Sequence, residues 1–80
     1  MYKKLKNLKI GEKAIIAGYE KKGESYRQKL LSMGLTKGIE ITLLKYAPFG
    51  DPVELLIRDF KLSLRKEEAE ILLLEGGNNG

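Results

Sequence analysis

Three stretches of this chain alternate apolar and polar residues with a period of two, and nothing else in the sequence narrows the fold as much. In IEITLLKY (39–46), Ile39, Ile41 and Leu43 alternate with Glu40 and Thr42. In VELLIR (53–58), Val53, Leu55 and Ile57 share one side, and in KLSLR (61–65), Leu62 and Leu64 oppose Lys61, Ser63 and Arg65. A strand points successive side chains to opposite faces, so each stretch reads as a strand with one buried face. RDFK (58–61) is short enough to make the second and third a hairpin.

The flanks add two strands and little helix. LKIGEKAIIAGY (8–19) has a turn at Gly11 and then a β-branched run, predicting a strand over 13–19, and EILLL (70–74) predicts a closing strand. ESYRQKLLSMG predicts one short α-helix over about residues 25–33, opened by a capping box from Ser25 to Gln28. Gly34 suits the left-handed C′ position, with Leu35 folding back on Leu30. KEEA gives a helical turn near 66–69. The expectation is a mainly β protein: a small antiparallel barrel of about five strands, with residues 1–75 as a single domain and 76–80 as a disordered tail.

Eighty residues allow one small core, burying roughly 60% of the unfolded surface, and without cysteine that core is held by packing alone. No apolar run approaches the roughly 20 residues of a membrane span, and MYKKLKNLKI lacks the apolar stretch of a signal peptide. A cytoplasmic location is expected, with weak attraction to the inner membrane face open to the basic N-terminus.

Alternation leaves a surplus. If Ile41, Leu43, Val53, Leu55, Ile57, Leu62, Leu64, Ile71 and Leu73 face inward, then Leu44, Leu56, Leu72 and Leu74 face outward and need cover. The helix, with Tyr26, Leu30, Leu31 and Met33 on its apolar side, is one cover. A partner is another, and weak self-association through Leu44, Leu56 or Leu72 is a third. Between the strands, APFGDPV sets Phe49 inside a turn: Pro48 presets the first corner, Gly50 takes the last position, and Pro52 forces Asp51 into an extended conformation with its carboxylate free to accept backbone N–H groups. So rigid a loop holds Phe49 either as a plug for the core or as a docking tip.

Chemistry is scarce. The absence of histidine removes the usual general base, the Ser-His and Cys-His pairs and imidazole metal ligands. Asp51, Glu54, Asp59, Glu67, Glu68 and Glu70 form no recognisable acid and base pair, and no glycine spacing matches a phosphate loop. No catalytic residue, metal site or cofactor is expected. The net charge of +4 sits in residues 1–9, where Lys3, Lys4, Lys6 and Lys9 have no acid among them, while the rest of the chain is balanced. A solvated basic stretch accounts for this more simply than a phosphate-binding arm.

The run from Arg27 to Leu74, with KLLSMGLTKG, APFGDPV and LSLRKEEA in order, and more weakly the opening LKIGEKAII, resembles the ferrous iron transport protein A family, FeoA. The resemblance implies a small SH3-like barrel and a non-enzymatic cytoplasmic accessory protein of bacterial ferrous iron uptake. Its implied partner is the inner-membrane ferrous iron permease that carries a GTPase domain. Lys29 stands where arginine is common in the family and Asp59 where glycine is frequent; aspartate tolerates the left-handed region, so the hairpin is expected to persist. The same fold occurs as a C-terminal domain of metal-dependent repressors, a role not expected for a chain with no DNA-binding segment before it. The expected docking residues are Pro48, Phe49, Leu44, Leu56 and Leu72. The alternative is a small barrel binding RNA or another nucleic acid, which salt dependence would separate from apolar docking. A proline-rich peptide groove is disfavoured by the absence of tryptophan.

Overall fold

The computed structural model of the protein describes residues 2–76. Its elements are β1 (Lys13–Tyr19), α1 (Glu24–Ser32), β2 (Glu40–Tyr46), β3 (Val53–Ile57), β4 (Phe60–Leu64), α2 (Lys66–Ala69) and β5 (Leu72–Gly76), with 3-10 turns at Leu5–Asn7 and Lys21–Gly23. The five strands form one sheet in the order β4-β3-β2-β1-β5, antiparallel throughout. Lys3 adds to its β5 side, exchanging backbone hydrogen bonds of 2.8 and 2.9 Å with Leu74. The mainly β architecture expected from the alternation is therefore the one observed.

The inner face carries the core. Ile16, Ile41, Leu43, Val53, Leu55, Ile57, Leu64, Leu72 and Leu74 are buried there, joined by Leu5 and Leu8 from the N-terminal stretch and by Leu30 and Leu35 around the end of α1. Each such side chain contributes about 1.5–3 kcal/mol on leaving water, and in so short a chain that burial is the main favourable contribution to folding.

Helix α1 ends as predicted. Gly34 has φ +92°, Leu35 N–H donates to Leu30 C=O at 3.0 Å and Gly34 N–H to Leu31 C=O at 3.0 Å, a Schellman motif with Leu30 and Leu35 buried. Its start differs. The N-cap is Gly23, with no side-chain cap, so Ser25 lies inside the helix and the expected Ser25–Gln28 box does not form. Tertiary contact decides this: the Glu20 N–H donates to Ile71 C=O at 2.8 Å, and Gly23 packs so tightly on Ile71 that a Cβ there would stand 2.1 Å from Cγ2. The apolar stripe is also narrower than predicted, since Leu30 is buried, Tyr26 and Met33 are half-buried and Leu31 is exposed.

Two bulges explain where simple alternation fails. In β2, Leu43 pairs with Leu55 and Lys45 with Glu54, leaving Leu44 as the extra residue; past it Lys45 is exposed and Tyr46 pairs with buried Val53. In β1, Ile16 pairs with Leu74 and Gly18 with Leu73, leaving Ala17 extra. The closing strand starts at Leu72, two residues later than expected, and its faces are reversed: Leu72 and Leu74 are at 0% exposure in the core, and Leu73 is half-buried. Ile71, just before the strand, is also buried. Of the expected tail, Gly76 pairs with Ala14 as the end of β5, and residues 77–80 lie outside the described residues.

The β3–β4 connection is a two-residue hairpin, with Ile57 paired to Phe60 across Arg58 and Asp59. The left-handed residue is Arg58, at φ 51°, and not Asp59.

Candidate interaction site

The loop from Ala47 to Pro52 is closed by backbone bonds at both levels. Gly50 N–H donates to Ala47 C=O at 2.7 Å, and Ala47 N–H donates to Pro52 C=O at 2.9 Å. Gly50 has φ +86°, a conformation a side chain would oppose. Asp51 does what its extended setting predicts: its Oδ1 accepts the Lys66 N–H at 2.9 Å, fastening the loop to the first residue of α2. The loop thus has few conformations left to lose on binding.

Phe49 stands at its tip with 97% of its surface exposed, beside the exposed Pro48. Of the two roles left open by the sequence, the plug is excluded. A benzyl group held in water has no packing reason to be there, and a rigid aromatic on a loop is the type of side chain that anchors protein interfaces.

Next to the tip lies a cleft of about 250 Å³, lined by Leu5, Tyr46, Gly50, Val53 and Ala69, with Lys6, Lys66 and Glu70 as its charged members. Gly50 belongs to both, so the protruding ring and the apolar cleft share a border. The cleft needs three separate parts of the chain: the N-terminal 3-10 turn, the stretch from the β2 end through the loop to the β3 start, and α2 with Glu70 behind it. The sequence signal for the first is the pair Leu5 and Leu8, three residues apart and both buried, which seats the basic N-terminus on the barrel.

The expected docking residues do not form one patch. Pro48 and Phe49 share the loop. Leu44 and Leu56 are half-buried, Leu44 at the β2 bulge and Leu56 opposite Thr42 and Lys61. Leu72 is a core residue, unavailable to a partner; a start shifted by two residues would leave its face unchanged, and it shares the inward face of β5 with Leu74, which pairs with buried Ile16.

The N-terminal lysines are drawn into the fold. Lys3 pairs with Glu12 at 3.4 Å; Lys4 pairs with Glu20 and donates to Glu70 C=O at 2.8 Å; Lys6 lies 3.9 Å from Glu70. For three of the four N-terminal lysines, this uses inside the chain the charge that a phosphate-binding arm would present. The pairing with Lys4 holds the Glu20 carboxyl below the usual range, and Glu12 is lowered first by the Lys9 N–H it accepts and then by Lys3. Glu68 is the buried acid, at 4% exposure, fixed by Lys29 Nζ at 2.5 Å and by the Arg65 N–H at 3.0 Å. Among the described residues no three His, Cys, Asp or Glu groups come together to hold a metal ion. No helix among them is long and apolar enough to cross a membrane.

Residues 3–76 match the family model of the FeoA domain. The chain is 38% identical over 72 residues to the Fe(2+) transport protein A/Fe(2+) transporter FeoB fusion protein of Porphyromonas gingivalis, a match covering 90% of this chain and 8% of that protein, so it spans a small fraction of that relative's length. The NMR structure of a FeoA-like protein from Clostridium acetobutylicum superposes with a TM-score of 0.82 at 37% identity, covering 91% of this chain and 84% of the other. A Stenotrophomonas maltophilia FeoA, described as a procaryotic SH3 domain protein, superposes with a TM-score of 0.75 at 20% identity, covering 91% and 89%. That likeness identifies the barrel as SH3-like.

Proposed function

Because the chain belongs to the FeoA domain family, we propose that it is a non-enzymatic accessory module of ferrous iron uptake, docking through Phe49 and the adjoining cleft on the cytoplasmic, GTPase-containing part of a ferrous iron permease. The fusion of the two components in the Porphyromonas gingivalis relative supports the pairing, since fusion keeps a domain beside its partner at high effective concentration.

The observation that carries the reading is a 97%-exposed phenylalanine on a loop closed by three hydrogen bonds and bordering an apolar cleft. In the docked state Phe49 enters an apolar pocket of the permease while the cleft receives an apolar side chain in return. Lys6, Lys66 and Glu70 then lie at the wet rim, where charges set orientation and encounter rate more than affinity.

The test is a titration of the isolated cytoplasmic portion of the permease with the full chain, as wild type and as Phe49→Ala. A buried aromatic anchor predicts a loss of tenfold or more, about 1.4 kcal/mol, and salt between 50 and 300 mM changes affinity little. No binding by wild type overturns direct docking. Equal binding by the variant removes Phe49 from the interface.

A further inference from the structure

The two edges of the sheet are treated differently. Beside β5, Lys3 exchanges two backbone bonds with Leu74. The other edge, β4, has no such cover among the described residues. In a two-residue hairpin the flanking pair exchanges hydrogen bonds, so Phe60, Leu62 and Leu64 bond back to β3 while the N–H and C=O of Lys61 and Ser63 point away from it. None of the backbone or side-chain bonds outside the sheet ladder among the described residues uses these groups, and both residues are exposed. On the other face of the same strand Phe60 is 48% exposed and Leu62 half-buried.

We infer that β4 is a self-association edge, at which two copies of this chain join their sheets antiparallel about a twofold axis passing between their Leu62 residues. The register follows from the free groups. With Leu62 opposite Leu62 of the second copy, Lys61 stands opposite Ser63 and Ser63 opposite Lys61, so each outward N–H meets an outward C=O and all of them are satisfied together. Shifting the register in either direction leaves some unpaired. The same register brings the two Leu62 side chains together in a non-hydrogen-bonded pair, the closer of the two antiparallel spacings, and sets Phe60 beside Leu64 of the other copy.

Charge agrees with this pairing. Lys61 faces the small Ser63 of the other copy, and Ser63 is itself paired with Glu54 on β3. The incoming ammonium therefore reaches over a serine toward a carboxylate, and the two lysines are not placed directly opposite. Neither Lys61 nor Glu54 takes part in an ion pair within the chain among the described residues. A lone edge lysine commonly blocks edge pairing, yet here the twofold register gives it an acidic counterpart.

The contact is small, below the roughly 1,200 Å² of a stable complex, so the dimer is a weak one with a dissociation constant of about 0.1 mM. It involves none of the residues of the 47–52 loop and stands or falls separately from the permease reading.

Sedimentation equilibrium of the full chain from about 10 µM to about 1 mM tests it, together with amide exchange at both ends of that range. At such a constant the dimerised share of the chains rises from about a seventh to about four fifths, and the Lys61 and Ser63 amides slow about fourfold while other exposed amides do not. Ser63→Pro removes one outward donor at an edge position, where proline is tolerated, and is expected to abolish association with little change in melting temperature. A chain that stays monomeric at 1 mM overturns the inference. So does a dimer in which those two amides exchange at the same rate as in dilute solution. That second criterion needs only wild type, so it decides the matter even if Ser63→Pro unfolds.

Discussion

Lys29 Nζ lies 2.5 Å from Glu68 Oε2, joining α1 to α2 across 39 positions of sequence. Glu68 is nearly inaccessible and also accepts the Arg65 N–H, whereas Lys29 is largely exposed. The hydrogen bond from Lys29 holds the Glu68 carboxyl below its ordinary 4.5 against the opposing effect of burial. A carboxyl with a folded pKa below its unfolded one contributes stability that is complete above about 4.5 and is lost as pH falls through the folded value. Melting temperature between pH 7 and pH 3 is therefore expected to fall below about pH 4.5, and to fall less steeply for Glu68→Gln. Equal slopes for the two would show that Glu12 and Glu20, lowered in the same direction, carry the acid sensitivity instead.

Gly23 makes a sharper demand on its neighbours. A Cβ there would lie 2.1 Å from Ile71 Cγ2 and 2.9 Å from its Cβ, and the latter atom is fixed by the backbone and cannot swing aside. Gly23→Ala is expected to cost about 1–3 kcal/mol through overpacking, to which the poorer N-capping by alanine adds. Chemical denaturation would show it, and the double variant with Ile71→Ala would recover less than the full loss, because it removes the clash with Cγ2, keeps the one with Cβ and leaves a cavity.

Arg58 carries the only positive φ found at a non-glycine residue among those described. Left-handed backbone costs an ordinary residue about 1–2 kcal/mol, and glycine escapes this while losing more entropy on folding. Arg58→Gly is expected to gain about 0.5 kcal/mol, a rise of roughly 2–4 °C in melting temperature for a chain of this size. A fall would mean that the arginine side chain makes a compensating contact.

Much of this fold was legible from the period-two alternation, because Ile41, Leu43, Val53, Leu55, Ile57 and Leu64 obey it without interruption. It failed where the chain departs from ideal pairing. Leu44 and Ala17 are bulge residues, and a bulge shifts the phase of everything behind it, which no local count reveals. The capping box at Ser25 was sound locally and was overridden by the packing of Gly23 on Ile71, a contact between residues 48 apart in number. The Phe49 loop was legible in its turn chemistry and in the bond that Asp51 makes, yet the direction of the ring was not, because a rigid turn can present its tip either way. The cleft beside it could not be read at all, since it is assembled from three segments far apart in sequence.

The reversal of β5 yields a direct comparison. Leu72 is fully buried, and its truncation removes core contacts and leaves a cavity, whereas Leu44 is half-buried at a bulge. Leu72→Ala is expected to cost about 2–5 kcal/mol and Leu44→Ala at most about half as much. Urea unfolding of both separates the assignments; similar losses would place both side chains in one environment, contrary to this structure.

Position and contact can be separated at the Phe49 loop. Phe49 is almost wholly exposed, so Phe49→Ala is expected to change stability by no more than about 0.5 kcal/mol. Asp51 accepts the Lys66 N–H at 2.9 Å and is the loop's side-chain tie to α2, so Asp51→Ala is expected to cost about 1 kcal/mol and to free the loop. If docking relies on a ring held ready in place, freeing the loop weakens permease binding while every side chain of the proposed contact is still present, because the ordering cost is then met on association. Calorimetric titration of Asp51→Ala would show this as a less favourable entropy of binding. Unchanged affinity and entropy would mean that the loop is held by its backbone bonds alone, those of Gly50 to Ala47 and of Ala47 to Pro52.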